Sequence, residues 1–381
     1  MTGDPAGEPV VTGIGAVTCF GYGAATLWEA MSAATARRPD RPADPLAHMA
    51  LPLIHLVPDG GGEADRAARF ALAAADEAVR DAGLAEVPGA AVVVGSCMGE
   101  VAASERGRAA TGAAWDPAFR LAAEVGDRLG AIGPNLSVAN ACAAGTFAVS
   151  AAADLIRAGE ADLVIAGGAD GYSRIALGCF NRLGAVDPVR CRPFDRHRGG
   201  TIFGEGAGML VLESRARAEA RGATVLARIG GAGWSCDAHH PTAPEPGGAQ
   251  VARAAREALG DGGAPDCVIP HGTGTRLNDV LEAGALREVI GPILDRVPLY
   301  SLKALIGHTG GASAAIAACA AVLMLRGGTI PPNVPLDEQD PECPVWLPQS
   351  GPEELAGPGR RVLVNGYGFG GNNCSVVLEA A

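Results

Sequence analysis

The sequence predicts a layered α/β/α/β/α sandwich built from two similar halves, and three observations carry that expectation. The 381 residues are rich in Gly (55 of them) and small apolar side chains, with aromatics at only 4%, a composition suited to close-packed helices on buried strands. Apolar strand-like runs alternate with amphipathic or Ala-rich helical runs, which favours mostly parallel sheets covered by helices. Finally, the chain repeats itself.

The repeat is read from four matched pairs. Phe203-Gly-Glu-Gly-Ala-Gly-Met-Leu-Val-Leu-Glu213 and Phe369-Gly-Gly-Asn-Asn-Cys-Ser-Val-Val-Leu-Glu379 stand 166 positions apart at both ends, and each reads as a Gly-rich hairpin closing its half. Leu136-Ser-Val-Ala-Asn-Ala-Cys142 precedes an apolar helical run, Thr146 to Ala158, much as Tyr300-Ser-Leu-Lys-Ala-Leu-Ile-Gly-His308 precedes an Ala-rich run to Arg326. Val92-Val-Val-Gly-Ser-Cys-Met-Gly matches Val268-Ile-Pro-His-Gly-Thr-Gly-Thr, and Val11-Thr-Gly-Ile-Gly matches Ile229-Gly-Gly-Ala-Gly. The halves are placed at residues 1–220 and 221–381, with the boundary near Arg217–Gly222.

Composition narrows the function. A net charge of −12 argues against nucleic acid or an anionic membrane as a general partner, since both require a basic face. No apolar run reaches the roughly 18 residues of a membrane span. The opening Met1-Thr-Gly-Asp-Pro lacks a basic-then-apolar pattern, so no export signal is expected. Ten cysteines without a C-x-x-C pair argue against a zinc site or a disulfide framework. A cytoplasmic protein with reduced thiols and no metal is expected.

Only one of the 30 Lys+Arg residues is a lysine, Lys303, five positions before His308 in a Gly-rich turn. Arginine is a fixed planar cation, whereas lysine is a compact charge whose pKa can move, so the exception marks a site that requires an ammonium. Cys142 lies between a short strand, Pro134 to Val138, and a helix, among Ala141, Ala143, Ala144 and Gly145. That elbow puts its sulfur at a helix N-terminus, where a thiolate is favoured; the other nine cysteines read as structural. A third cluster, His271-Gly-Thr273-Gly-Thr275 with Asn278, Asp279 and Glu282, follows the strand Cys267–Pro270. Its glycines permit close backbone approach to a ligand.

Taken in order, these motifs resemble the β-ketoacyl-[acyl-carrier-protein] synthases of the thiolase superfamily, in the branch with a Cys-His-His triad. The resemblance covers nearly the whole chain. It rests on Asn140-Ala-Cys-Ala-Ala-Gly145, on Pro193-Phe-Asp195 with Arg198 and Gly204-Glu-Gly-Ala-Gly208, and on Asp237-Ala-His-His240-Pro-Thr242. His271-Gly-Thr-Gly-Thr275 with Asp279 and Glu282, Ser301-Leu-Lys303 with Gly307-His308-Thr, and Gly368-Phe-Gly-Gly371 complete it.

The resemblance implies a thiolase-like five-layer fold and a decarboxylative Claisen condensation between an acyl group on Cys142 and malonyl on a carrier protein. It implies that His271 and His308 stabilise the malonyl enolate and that the amides of Cys142 and Phe369 form the oxyanion hole. Lys303, close to His308, would disfavour the imidazolium and pair with a supporting Glu282. Thr242, Thr273, Thr275, Phe369 and Gly370 would contact the phosphopantetheine arm, with Phe369 as a gate. Arg66 and Arg69, at the start of a helix Asp65 to Ala82, would dock an acidic acyl carrier protein. Asp195 and Glu205 would be structural. No cofactor is bound beyond the substrate's own phosphopantetheine, and a homodimer, or a heterodimer with a ketosynthase-like subunit, is implied.

The sequence departs from the family pattern at Asn140, at Asn372, at Arg198-Gly-Gly-Thr201, and in a shortened segment from Glu100 to Ile132. These departures surround the pocket and spare the triad, pointing to a type II polyketide or specialised fatty-acid pathway. Two other readings share the fold: an acyltransferase forming an ester or amide without decarboxylation, and a partner subunit of a heterodimer. A degradative thiolase fits less well, because Cys374 lies past the C-terminal turn where a second catalytic cysteine would be needed.

Overall fold

A computed structural model describes residues 7–58, 66–102, 105, 120–355 and 359–381. The residues of the export-signal reading, the first residue of the helix expected from Asp65, and much of the Glu100–Ile132 segment lie outside them.

The first half arranges five strands: β1 (Pro9–Thr18), β2 (Ala91–Gly95), β3 (Asn135–Val138), β4 (Leu163–Asp170) and β5 (Gly206–Ser214). They lie in the order β3-β2-β4-β5-β1. The second half follows with β6 (Ala227–Cys236), β7 (Cys267–Ile269), β8 (Arg361–Gly368) and β9 (Asn372–Glu379), ordered β7-β8-β9-β6 and extended past β7 by a parallel bridge from Val268 to Leu299. Each half runs through two antiparallel and then two parallel pairings. The sheets are therefore mixed rather than mostly parallel. A short antiparallel contact, Val10 opposite Arg228 and Val11 opposite Ala227, joins β1 to β6 and the two halves to each other.

Helices α1 (Arg66–Asp81) and α2 (Leu121–Leu129) cover the outer face of the first half. Between the sheets lie α3 (Ala144–Arg157) and, after α4 (Arg174–Arg182) and the second half's outer helices α5 (Ala249–Leu259) and α6 (Arg276–Ile290), the Ala-rich α7 (Ala312–Gly327). Both α3 and α7 touch strands of both halves, giving five layers. Because α7 is enclosed on every side, small side chains are the ones that fit there; seven of its residues from Ala312 to Ala321 are alanines, and all are buried.

The repeat explains the small-residue composition physically. In β1, Gly13 and Gly15 lie so close to α1 that a Cβ on either would overlap the carbonyl oxygens of Ala78 and Ala74. Their counterparts in β6, Gly231 and Gly233, stand in the same relation to Ala258 and Ala254 of α5. Glycine on the strand and alanine on the helix thus let each sheet and its cover approach at backbone distance.

One reading of the repeat is corrected. β8 and β9 form a true hairpin, turning at Phe369–Gly371. Their counterparts β4 and β5 also pair antiparallel, but residues 171–205 intervene, so Phe203–Glu213 is not one arm of a hairpin. That long connection carries α4, whose Phe180 lines the candidate site, and Gly199 and Gly200, which line it too. The 166-residue offset survives in the strands, since β5 starts at Gly206 and β9 at Asn372.

Candidate active site

The site forms where strand ends of both halves converge. β3 leads into Asn140, and Ala141 takes a left-handed φ of 49°, an uncommon and strained conformation for a residue with a Cβ. That elbow presents Cys142 in a 3-10 turn, Ala141–Ala143, ahead of α3. Gly368 approaches from β8 so closely that a Cβ there would stand 3.0 Å from the Cys142 nitrogen. The Cys142 amide and the start of the Phe369 turn therefore adjoin.

Cys142 is 5% exposed and lines a cavity of 480 Å³ with His271 and His308. A hydrogen bond from the Cys97 thiol, and then the proximity of His308 and Lys303, hold its pKa well below that of an ordinary thiol, against the opposing effect of burial. The 3-10 turn runs directly into α3, so the helix N-terminus acts in the same direction. Cys97 itself is pushed well above the usual thiol range by Cys142, by burial and by the nearby Asp170 carboxylate. Of the two, Cys142 is the thiolate, since it lies near the Lys303 ammonium and Cys97 lies by the Asp170 carboxylate.

Asp170, at the end of β4, ties this region together. Its carboxylate accepts from Ser96 Oγ (2.7 Å), from the amides of Cys97 (2.9 Å) and Met98 (3.0 Å), and from Gly311 at the start of α7 (2.6 Å). Burial pushes its pKa up to about 6 despite these donors.

His271 follows β7. Its backbone N–H donates to Glu282 Oε1 (2.7 Å), and Gly272 donates to Glu282 Oε2 (2.7 Å). Its ring Nδ1 accepts the Tyr367 N–H at 3.2 Å, with Lys303 Nζ 3.4 Å away. Two donors on Nδ1 leave the ring proton on Nε2, so His271 offers an N–H to the cavity. Burial, then Lys303 and His308, keep its pKa well below the usual range and the ring uncharged. The His308 ring stands perpendicular to it, 5.5 Å between centroids, with Nδ1 2.9 Å from Ser313 Oγ.

Lys303 occupies a short helix, Lys303–Ile306, and is 6% exposed. Its ammonium donates to the His271 carbonyl oxygen and lies beside the same residue's ring. The expected link to His308 is thereby corrected, as the contact runs to His271. So is the expected ion pair with Glu282, whose carboxylate is taken up by the amides of His271 and Gly272 and by Asn365 Nδ2 (3.1 Å). Glu282 supports the site by fixing the His271 turn. The Thr273 and Thr275 hydroxyls lie 2.9 Å apart and, with Thr242, Phe369 and Gly370, line the cavity. Phe369 stacks on Phe180 of α4, centroids 5.1 Å apart at 14°.

Arg66 does not match the docking role. Its side chain, 12% exposed, is held by Glu205, which is fully buried and also accepts the amides of Val57 and Tyr172. Arg69 lies alongside Phe70, and neither arginine lines the cavity. Asp195 accepts the amides of His197, Asp337 and Glu338, so it and Glu205 act as structural anchors. Three cysteines are not the buried structural residues expected: Cys97 touches the nucleophile, while Cys179 and Cys236 are exposed. Cys97 was within reach of sequence reasoning, since its motif is the counterpart of the histidine turn; Phe180 gives no local signal.

Comparison with known proteins matches residues 55–218 to the family "Beta-ketoacyl synthase, N-terminal domain" and residues 226–337 to "Beta-ketoacyl synthase, C-terminal domain". The chain is 38% identical to a protein described as "Putative polyketide beta-ketoacyl synthase 1" from Streptomyces cyaneus, over 97% of each chain. Among solved structures, "The ishigamide ketosynthase/chain length factor" superposes with a TM-score of 0.87 at 35% identity, covering 98% of this chain and 99% of the other. A type II polyketide ketosynthase in complex with its acyl-carrier protein, AntDE:AntF, gives 0.88 at 25% identity with the same coverage. The chain belongs to the β-ketoacyl synthase family, on a thiolase-like fold.

Proposed function

We propose that this chain is the catalytic ketosynthase of a type II polyketide pathway, joining an acyl group held on Cys142 to malonyl-acyl carrier protein with loss of CO2. The observation that carries the reading is the convergence, in one cavity, of a thiol held below its ordinary pKa and an imidazole held neutral. A thiolate attacks the incoming thioester carbonyl, an S–C bond forms to Cys142, and the pantetheine thiol leaves with a proton. Malonyl thioester then loses CO2. His271, with its proton on Nε2, donates to the thioester oxygen as negative charge develops there, and His308 stands beside it. The enolate carbon attacks the acyl carbonyl, whose oxygen is received by the amides of Cys142 and Phe369, and the Cys142 thiolate is released.

Thr242, Thr273 and Thr275 are assigned to the pantetheine arm. The mouth carries Arg276 and Leu277, the latter 67% exposed; a cation beside an apolar side chain suits an acidic carrier protein better than the paired Arg66 does. Among the described strands β3 ends the sheet order beside β2, and three of its four residues are exposed. An exposed strand at a sheet end suits contact with another subunit, and, since a ketosynthase/chain length factor superposes on this chain, we assign this end to a ketosynthase-like partner. Among the described residues no helix is long and apolar enough to cross a membrane, and we place the protein in the cytoplasm.

Two measurements test this. Intact mass should show an acyl adduct on the wild type and none on Cys142→Ala, and malonyl-carrier protein should release CO2. Acyl transfer to an alcohol or amine without CO2 would replace this reading with the non-decarboxylating one.

A further inference from the structure

Asn140 and Asn372 depart from the family pattern separately, yet the fold joins them. Asn140 Nδ2 donates to Asn372 Oδ1 at 3.1 Å, across 232 positions of chain, and Asn372 Nδ2 donates to the Phe369 carbonyl oxygen at 2.8 Å. The order of this relay is fixed by its end. A carbonyl can only accept, so Asn372 must turn its NH2 toward Phe369, which leaves its oxygen for the NH2 of Asn140.

The turn between them is built on glycine and restrained by contact. Gly370 (φ 81°) and Gly371 (φ 77°) are both left-handed, which returns the Asn372 side chain to the Phe369 carbonyl. The Phe369 ring lies on Phe180, which meets Phe203 edge-on at 4.5 Å. The preceding residue, Gly368, rests against the Asn140 carbonyl and the Cys142 nitrogen. Phe369 is therefore held at its ring by Phe180 and at its carbonyl by a pair of side-chain amides anchored one residue from the strained elbow.

We propose that Asn140 and Asn372 are positioning residues that latch Phe369 closed over Cys142, so that the strength of this clasp sets how bulky a thioester reaches the sulfur. The inference rests on Cys142 as the reactive thiol. A neutral hydrogen bond contributes a factor of roughly 2–12 to an equilibrium, so releasing Asn372 raises the open population by about that factor.

The test uses the full chain and follows modification of the Cys142 peptide by mass, with iodoacetamide as a small probe and a pyrene maleimide as a bulky one. Asn372→Ala should accelerate the bulky reagent about 3–10-fold and the small one less than about twofold, leaving the pH midpoint of the reaction unmoved. Asn140→Ala should act in the same direction, and the double variant should match Asn372→Ala, because Asn140 reaches the gate only through Asn372. In a Phe369→Ala background Asn372→Ala should add nothing. Asn372→Asp, which keeps size and the acceptor for Asn140 but loses the donor, should open the gate as well and serves if the alanine variant folds poorly.

Equal acceleration of both probes, a moved midpoint, or an Asn372 effect that persists without the Phe369 ring would overturn the latch. Alkylation does not depend on the condensation. A wild type that carrier protein never acylates, but whose gate still responds, refutes the functional reading and leaves the latch standing.

Discussion

Cys97→Ala tests the electrostatics of the nucleophile most directly. The Cys97 thiol donates to Cys142 and is the leading cause of its lowered pKa. A hydrogen bond to a charged group is worth about 1.5–3 kcal/mol, and one pKa unit corresponds to about 1.4 kcal/mol. Removing the donor should therefore weaken the ionisation of Cys142 by a factor of about 10–100, raising its pKa. Below the wild-type midpoint, the thiolate fraction falls by about 10–100-fold, while the more basic thiolate gains nucleophilicity with a slope of about 0.4–0.5. The net effect there is a reaction about 3–16-fold slower with iodoacetamide. Above the variant's midpoint the order reverses and the variant becomes about 3–10-fold faster.

Crossing pH–rate profiles are thus the expected result, read as peptide-resolved alkylation of Cys142 across the pH range. Cys97→Ser retains a donor and should restore most of the wild-type profile. An alanine variant with an unmoved midpoint would refute the assignment of Cys97 as the thiolate's donor. So would a midpoint that moves down.

His308→Ala should leave acylation of Cys142 within a few fold and lower condensation far more, as single donors of this kind contribute roughly 10²–10³ in rate; equal loss of both steps, followed by acyl mass and CO2 release, would count against the division of labour. Lys303→Arg should impair condensation although charge is kept, because a planar fork replaces a compact ammonium between the His271 carbonyl and ring. Lys303→Met removes a charge that disfavours the imidazolium, so the His271 pKa rises and the acid limb of condensation moves to higher pH; an unmoved limb in the pH–rate profile would show that the limb belongs to another group.

The reactive residues were legible because each is an odd residue type in a small-residue turn. A lone lysine, a cysteine among alanines and a histidine between glycines are local facts. The two-half architecture was legible through the constant offset, because a strand and its counterpart keep their glycines where a helix must come close. What escaped depends on contacts between distant segments. Lys303 is five residues from His308 but turns its ammonium to His271, 32 positions earlier. The first-half hairpin was misread because the two copies differ in what joins their paired strands: a three-residue turn in one and residues 171–205 in the other. Asn140 and Asn372 could be seen as exceptions one at a time, and only the fold shows that each is the other's partner.

One consequence unites the site. The first half supplies the sulfur that must lose its proton, and the second supplies an imidazole that must not gain one. These requirements look opposed, yet a single nearby cation meets both, because positive charge makes every neighbouring group give up protons more readily. Lys303 lowers the pKa of Cys142 and that of His271 alike. Its own charge is disfavoured by burial and upheld chiefly by Glu282, which meanwhile pins the His271 and Gly272 amides. Losing that carboxylate would therefore do more than loosen a turn: it would weaken the charge that keeps the nucleophile ionised and its neighbouring imidazole neutral.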